Sequence, residues 1–319
     1  MSSRAGVTLY VAKKVLATIP VAAVVTVVVF LLSHIGPGDP AAVLAGEYGR
    51  TETFETIRRE LGLHLPLVQQ FLIWLSRSLR GDLGQSIYHA GVPVTALLLQ
   101  HLWPTLSLAM LTIAFAVLAG VPIGVLAGWK AGSWVDQAVM VLAVLAFSMP
   151  IFVVGYLAIL AFSLGLGVLP VQGYKALDLG VVPFLRHLLL PAATLGAVYV
   201  ALIARTTRAA VIETARQDYI RTARAKGLST LRVLGHVLKN ASLPIVTVIG
   251  TGVASLMSGV VITETIFNIP GLGLLTASTI LTSDFPVIQA IVLFFSLTYV
   301  GVNLLVDLTY TFLDPRIRY

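Results

Sequence analysis

The 319-residue chain is 57% hydrophobic and 11% charged, whereas ordinary soluble domains are roughly half apolar and about a quarter charged; that much apolar surface exceeds what one soluble core can take up, and a bilayer is its natural solvent. The net charge of +7 sits between apolar runs, so it speaks of membrane topology before any partner and argues against nucleic acid. The absence of cysteine excludes disulfides and thiolate metal sites, and the six histidines are scattered, with no spacing that gathers them at a metal.

A spanning helix needs about 20 predominantly apolar residues. Six stretches qualify: Val15 to Ile35, Leu106 to Trp129, Val135 to Leu164, Leu188 to Ile203, Ile245 to Ile266 and Val287 to Phe312. Backbone groups in lipid must be paired within the segment, so these are expected to be helices; barrel strands would be about half as long and alternate in polarity. The expectation is an all-α membrane protein of six transmembrane helices. Its first unit, residues 1–35, holds the amino-terminal tail and the first helix. Lys13 and Lys14 precede that helix as they would in a signal peptide, but the apolar run exceeds the about 7 to 15 residues of a cleaved one, so it reads as a retained anchor.

Residues 36–103 follow, too long for a turn. Thr51 or Thr53 is placed to cap a helix through Leu61. Pro66 suits a first helical turn, after which Leu67, Phe71, Trp74, Leu75 and Leu79 recur at helical spacing. This reads as a helical extracytoplasmic segment, either a cap on the membrane surface or a dock for an external partner. The remainder, 104–319, is a five-helix core. Pro122 and Pro150 fall inside its spans, where a missing amide kinks a helix.

Between the fourth and fifth spans lies a basic connection, 209–242. Arg221, Arg224 and Lys226 keep it in water, while Ile220, Ala223, Leu228 and Leu231 supply an apolar edge. Thr222, Ala223 and Ala225 are small enough for close approach of another helix, and Gly227 is placed to stop the helix at positive φ. Alone, these residues suit either a handle gripped by another subunit or a surface helix held by anionic lipid. Fourteen of the 21 basic residues lie in the amino terminus, the second and fourth connections and the tail, which puts both termini in the cytoplasm.

Further on, Glu264 stands near the outer end of its span, suited either to a pathway or to anchoring the following Pro270-Gly271 turn. Asn303, Asp307 and Tyr310 form a polar stripe on the last span, with Asp307 placed to pair with Arg205 or Arg208. Phosphate-loop, zinc-protease and nucleophile-elbow motifs are all missing from the sequence, so no catalytic or metal residues are assigned.

Six segments in order carry a family likeness. They are Pro37-Gly38-Asp39-Pro40, Gly81-Asp82-Leu83-Gly84-Gln85-Ser86, Asp218 to Leu228, the run Glu264 to Gly273, Asn303 to Asp307, and Asp314-Pro315-Arg316-Ile317-Arg318. Together they resemble the dipeptide, oligopeptide and nickel permeases of binding-protein-dependent ABC importers, essentially end to end. The resemblance implies a type I importer fold and a bacterial or archaeal inner-membrane location. It implies, too, a homologous second permease, two ATPase subunits or domains that use ATP and Mg, and an extracytoplasmic solute-binding protein. It implies no cofactor in this chain.

Under the same resemblance, Asp218, Tyr219, Arg221, Thr222, Ala223, Arg224, Ala225, Lys226, Gly227 and Leu228 form the helix that couples to the ATPase. The wider ABC permease pattern begins this segment with Glu-Ala-Ala; Arg221-Thr222-Ala223 stands here instead, as in the peptide branch. The cargo implied is a di- or oligopeptide, with a nickel chelate, glutathione or another small solute as the alternative. An ion-gradient transporter is the rival outside this class, and it would call for mid-membrane acid or histidine relays and inverted repeats.

Overall fold

The computed structural model describes residues 2–35, 64–89 and 91–313. Pro37 to Pro40, the Thr51 or Thr53 cap and the tail Asp314 to Arg318 lie outside the described residues. The described helices are α1 (Ser2–Ile35), α2 (Leu67–Leu79), α3 (Val94–Trp129), α4 (Trp134–Ser148), α5 (Ile151–Ala158), α6 (Val181–Ala215), α7 (Asp218–Ala225), α8 (Thr230–Phe267), α9 (Leu272–Leu281) and α10 (Phe285–Leu313). A π-helical segment, Ile159–Gly165, continues α5.

Five helices, α1, α3, α6, α8 and α10, are long and apolar enough to cross a bilayer. The third expected span, Val135 to Leu164, is a helix pair, α4 and the α5 arm, bent through 106° at a short break; taken as one broken span it makes the sixth. Met149 leaves the helical region (ψ 127°) and Pro150 becomes the cap of α5. Steric clash with the proline ring favours extended backbone at the residue before it. Each arm of 15 residues is only about 22 Å long, short of an about 30 Å hydrocarbon core, so the two arms together make one broken span. Pro122 does not break α3, because tight packing on both sides holds that helix through.

That packing is a glycine ridge. Gly120, Gly124 and Gly128 lie one turn apart on α3 and face α6; a Cβ on Gly124 would fall 2.6 Å from the Thr207 Cβ, and one on Gly128 2.8 Å from the Val211 Cβ. With lipid outside, helix association relies on such close approach rather than on hydrophobic expulsion.

The long helices overrun the expected spans. At 1.5 Å per residue, α6 with 35 residues and α8 with 38 reach about 52 and 57 Å. Basic residues do not stop them, since Arg and Lys are good helix formers. They therefore project past the bilayer and carry α7 between their ends. Segment 209–242 is thus the end of α6, all of α7 and the start of α8.

Among the described residues four apolar clusters are stacked along the bundle, a small one being Ala116, Ile203 and Val248. The central one includes Leu108, Leu188, Leu195, Leu256 and Phe267. At one end Val94, Leu97, Leu272, Leu275, Val287 and Ile291 pack together, and at the end carrying α7 the cluster is Ala210, Val211, Ile220, Val233 and Val237. Outside the bundle, α1 exposes Leu16, Ile19 and Val24, a lipid-facing pattern. It rests on α10 through Lys14 Nζ, which donates to Asp307 Oδ2 at 2.7 Å. Asp307 therefore pairs with Lys14, and not with Arg205 or Arg208 as the sequence suggested.

In α2, Phe71 and Trp74 stack on Phe30 of α1, with ring centroids 5.4 and 5.7 Å away. Leu79 departs from the expected apolar face and is 80% exposed.

Candidate functional site

The turn of chain around α7 is built from both sides inward. Ile220 is fully buried among Val211, Val233 and Val237, and Ala223 and Leu228 are half-buried beside it. Tyr219 Oη accepts a hydrogen bond from Asn240 Nδ2 of α8 at 2.5 Å. On the α3 side, the Arg224 guanidinium lies over the Trp129 ring, 5.7 Å from its centroid. An eight-residue helix has little stability of its own; these contacts fix it to the ends of three long helices.

Its C-terminus closes in a Schellman motif. The Leu228 N–H donates to the Ala223 carbonyl and the Gly227 N–H to that of Arg224, with Gly227 at φ 77°. The positive φ expected there follows from this pairing, which satisfies the orphan carbonyls of the last turn.

What remains outward is a face of Asp218, Arg221, Thr222, Ala225 and Lys226, all exposed. Asp218 and Arg221 pair loosely at 3.5 Å, and Thr222 turns its hydroxyl back to the Asp218 carbonyl. Small residues in the middle and charges around them leave room for a groove to close over the helix. The expected apolar edge is split by the structure: Ile220, Ala223 and Leu228 turn toward the chain's own helices, whereas Leu231 is 80% exposed. Thr222 and Ala225 lie on the exposed side, and Ala223 does not.

Glu264 lies at the opposite end of α8, fully buried. One carboxylate oxygen accepts from Thr105 Oγ1 at 2.6 Å, and the other from the N–H groups of Gly273 and Leu274 at 2.7 and 3.0 Å. Those amides are in the first turn of α9, whose N-terminus leaves unpaired donors and a positive dipole end. Thr105 completes the arrangement by accepting from the Leu272 N–H at 2.8 Å. The sequence Glu264 to Gly273 is therefore a folded-back cap: Asn268 turns the chain in the left-handed region (φ 48°), and Gly271 carries no Cβ because one would overlap the Glu264 carboxylate. These hydrogen bonds tie α8 to the start of α9.

Asn303 is turned onto its own helix, donating to the Tyr299 carbonyl at 3.0 Å; the Tyr310 side chain lies outside those described. Among the described side chains, Asn303 and Asp307 share no partner.

Sequence reasoning missed two buried carboxylates. Asp284, just ahead of α10, accepts from Ser86 Oγ at 2.5 Å and from the N–H groups of Ile87 and Tyr88, tying the Gly81 to Ser86 turn to the α9–α10 corner. Asp136, in the first turn of α4, takes both Nε and Nη2 of Arg208. The available signal was position: each acid borders an apolar run, where lipid would not leave it unpaired.

Residues 120–319 match the family described as binding-protein-dependent transport system inner membrane component. Residues 7–109 match the amino-terminal family of such membrane components. The probable peptide ABC transporter permease protein y4tP of Sinorhizobium fredii is 47% identical over 311 residues, covering 97% of this chain and 99% of that one. The glutathione transport system permease protein GsiC of Escherichia coli K12 is 40% identical over 311 residues with the same coverage. Among solved structures, the MetNI methionine ABC transporter in inward-facing conformations matches with a TM-score of 0.57 at 17% identity, covering 68% of this chain and 96% of that one; it shares the fold.

Proposed function

The chain belongs to the family of binding-protein-dependent transport system inner membrane components, and on that premise we propose that it forms one half of the membrane path for small peptides, with α7 as the surface on which an ATPase subunit acts. It is an ABC importer permease and not itself the ATPase. A homologous second permease completes the path, two ATPase subunits supply hydrolysis of ATP with Mg, and an extracytoplasmic binding protein delivers the cargo. Both termini lie in the cytoplasm, as the distribution of basic residues favours.

The observation that carries this reading is the two-faced character of α7. Its inner side is locked by Ile220, Tyr219 and Arg224 to α8 and α3, and its outer side is small, charged and open. Closure of an ATPase dimer over that outer side would move the three long helices with it as a rigid lever. α2 and the Gly81 to Ser86 turn stand at the other end, where the binding protein docks.

A path for peptides needs groups that replace water around amides without binding them tightly. Along α8, Thr251, Ser255, Ser258 and Thr265 recur at helical spacing and are exposed; three of them return their hydroxyl proton to their own helix, leaving oxygen lone pairs outward. This row supports α8 as the path-lining helix. The peptide cargo is supported by the likeness to y4tP, and the likeness to a glutathione permease fits the same class, since glutathione is a tripeptide.

The test is uptake of labelled dialanine and of labelled glutathione into proteoliposomes. Uptake is expected only when this chain, its second permease, the ATPase subunits, the binding protein and ATP are all present. Accumulation driven by an ion gradient without the ATPase would overturn the reading.

A further inference from the structure

We propose that Asp136 and Arg208 are a transmission clamp, a pair of positioning residues that makes the bent α4 arm move as one body with the helix carrying α7; this rests on the reading of α7 as the ATPase handle. Asp136 is 3% exposed. Its carboxylate takes Arg208 Nε on one oxygen and Nη2, at 2.8 Å, on the other, and accepts the Gly132 N–H at 2.9 Å. A two-pronged guanidinium–carboxylate pair fixes orientation as well as distance, which a single hydrogen bond does not.

The position of the pair gives it this role. Arg208 is seven residues before the end of α6, and α7 begins at Asp218. On the same stretch of α6, Thr207 packs on Gly124, and the Arg208 carbonyl meets Gly128 at the end of α3. Arg205 lies over the Phe147 ring near the far end of α4, 5.4 Å from its centroid. Two guanidinium groups three residues apart thus hold both ends of α4, so a push on α7 reaches α4 through α6.

Among the described residues no other ion pair holds α4, which exposes Trp134, Val141, Leu142, Val144 and Leu145, and its helical hydrogen bonding is broken from α5 at Met149 and Pro150. Removing one partner of a buried pair strands the other charge, so the arm would come loose while α7, held by Ile220, stays in place.

The experiment uses the whole importer in nanodiscs, with its ATPase and binding protein, and spin labels on cysteines at Val141 of α4 and Gln217 before α7; the chain has no native cysteine. In the native protein the distance distribution is expected to keep its mean and width between the nucleotide-free state and the vanadate-trapped ATP state. In Asp136→Asn it broadens in the trapped state, and stimulation of ATP hydrolysis by the binding protein falls about tenfold while the basal rate holds, a loss within the usual range of site-to-site coupling. Arg208→Lys, which keeps the charge but not the fork, shifts both readouts in the same direction. The swap D136R/R208D restores both.

A native distance that changes on trapping, or a narrow distribution with full stimulation in Asp136→Asn, overturns the clamp. Should Asp136→Asn fail to assemble, the swap decides: assembled but broad and unstimulated, it also overturns the clamp. Thr222→Arg, run alongside, separates the two ideas. Full stimulation there sinks the α7 handle itself, whereas loss of stimulation there with none in Asp136→Asn sinks the clamp alone.

Discussion

Replacing Glu264 separates an anchor from a charge-handling acid. The carboxylate accepts three hydrogen bonds, from the Thr105 hydroxyl and from the Gly273 and Leu274 amides. Glu264→Ala strands those donors in a buried site, at about 1–3 kcal/mol for each group left unsatisfied. Thr105 recovers part of this by turning its hydroxyl toward the His101 carbonyl, 3.4 Å away, which leaves two amides and a loss of about 2–6 kcal/mol. Local opening at the start of α9 would then be favoured roughly 30-fold or more.

Glu264→Gln should behave differently. Its single amide oxygen can serve both backbone N–H groups while its NH₂ faces Thr105 Oγ1. Hydrogen exchange read at Gly273 and Leu274 by mass spectrometry should therefore accelerate in the alanine variant and stay near native in the glutamine variant, and transport should follow the same order. If glutamine abolished transport as alanine does while exchange at both amides stayed native, the anchor account would fail and a charge at Glu264 would be required.

Three further outcomes follow from the geometry. Gly124→Val places side-chain atoms inside the Ala204 and Thr207 contact, and overpacking of this kind costs about 1–3 kcal/mol or more; the thermal midpoint in detergent should drop, whereas Gly235→Val, at an open position of α8, should change it far less. Cysteines at Ser229 and Gln85, both exposed, should react with an impermeant maleimide from opposite sides of the membrane, Ser229 from the cytoplasm; labelling from one side only would break the topology. Replacing Phe71 and Trp74 by serine removes the stack on Phe30 and should lower ATP hydrolysis stimulated by the binding protein while sparing the basal rate, measured side by side; an equal fall in both would point to misfolding instead.

Much of this architecture is legible in the sequence because a bilayer imposes simple rules. Runs such as Leu106 to Trp129 and Ile245 to Ile266 must be helical, and Gly227 after a short basic segment marks a helix stop. Helix ends are less legible. The hydropathy of α6 falls off after Ile203, yet backbone hydrogen bonding continues to Ala215, because the projecting turns are held by packing around Val211 and Ile220 and not by lipid.

The break at Pro150 has the same cause as the continuity at Pro122: neighbours decide it. A proline flanked by Gly120 and Gly124 is clasped by α6, while Met149-Pro150 has no comparable clasp. Ion-pair partners were least legible. Arg208 finds Asp136, 72 residues earlier, and Asp307 finds Lys14, 293 residues away; three-dimensional proximity of that kind leaves no local pattern.

The most direct test of the central claim is a photocrosslink from the outer edge of α7. A benzoylphenylalanine in place of Lys226, exposed at the end of the helix, should form an adduct with the ATPase subunit in the assembled importer, and the same group in place of Gln85, at the opposite end of the bundle, should not. An assembled, hydrolysing complex with no ATPase adduct at Lys226, or with an equal adduct at Gln85, would contradict the assignment of α7 as the handle by which ATP hydrolysis moves this permease.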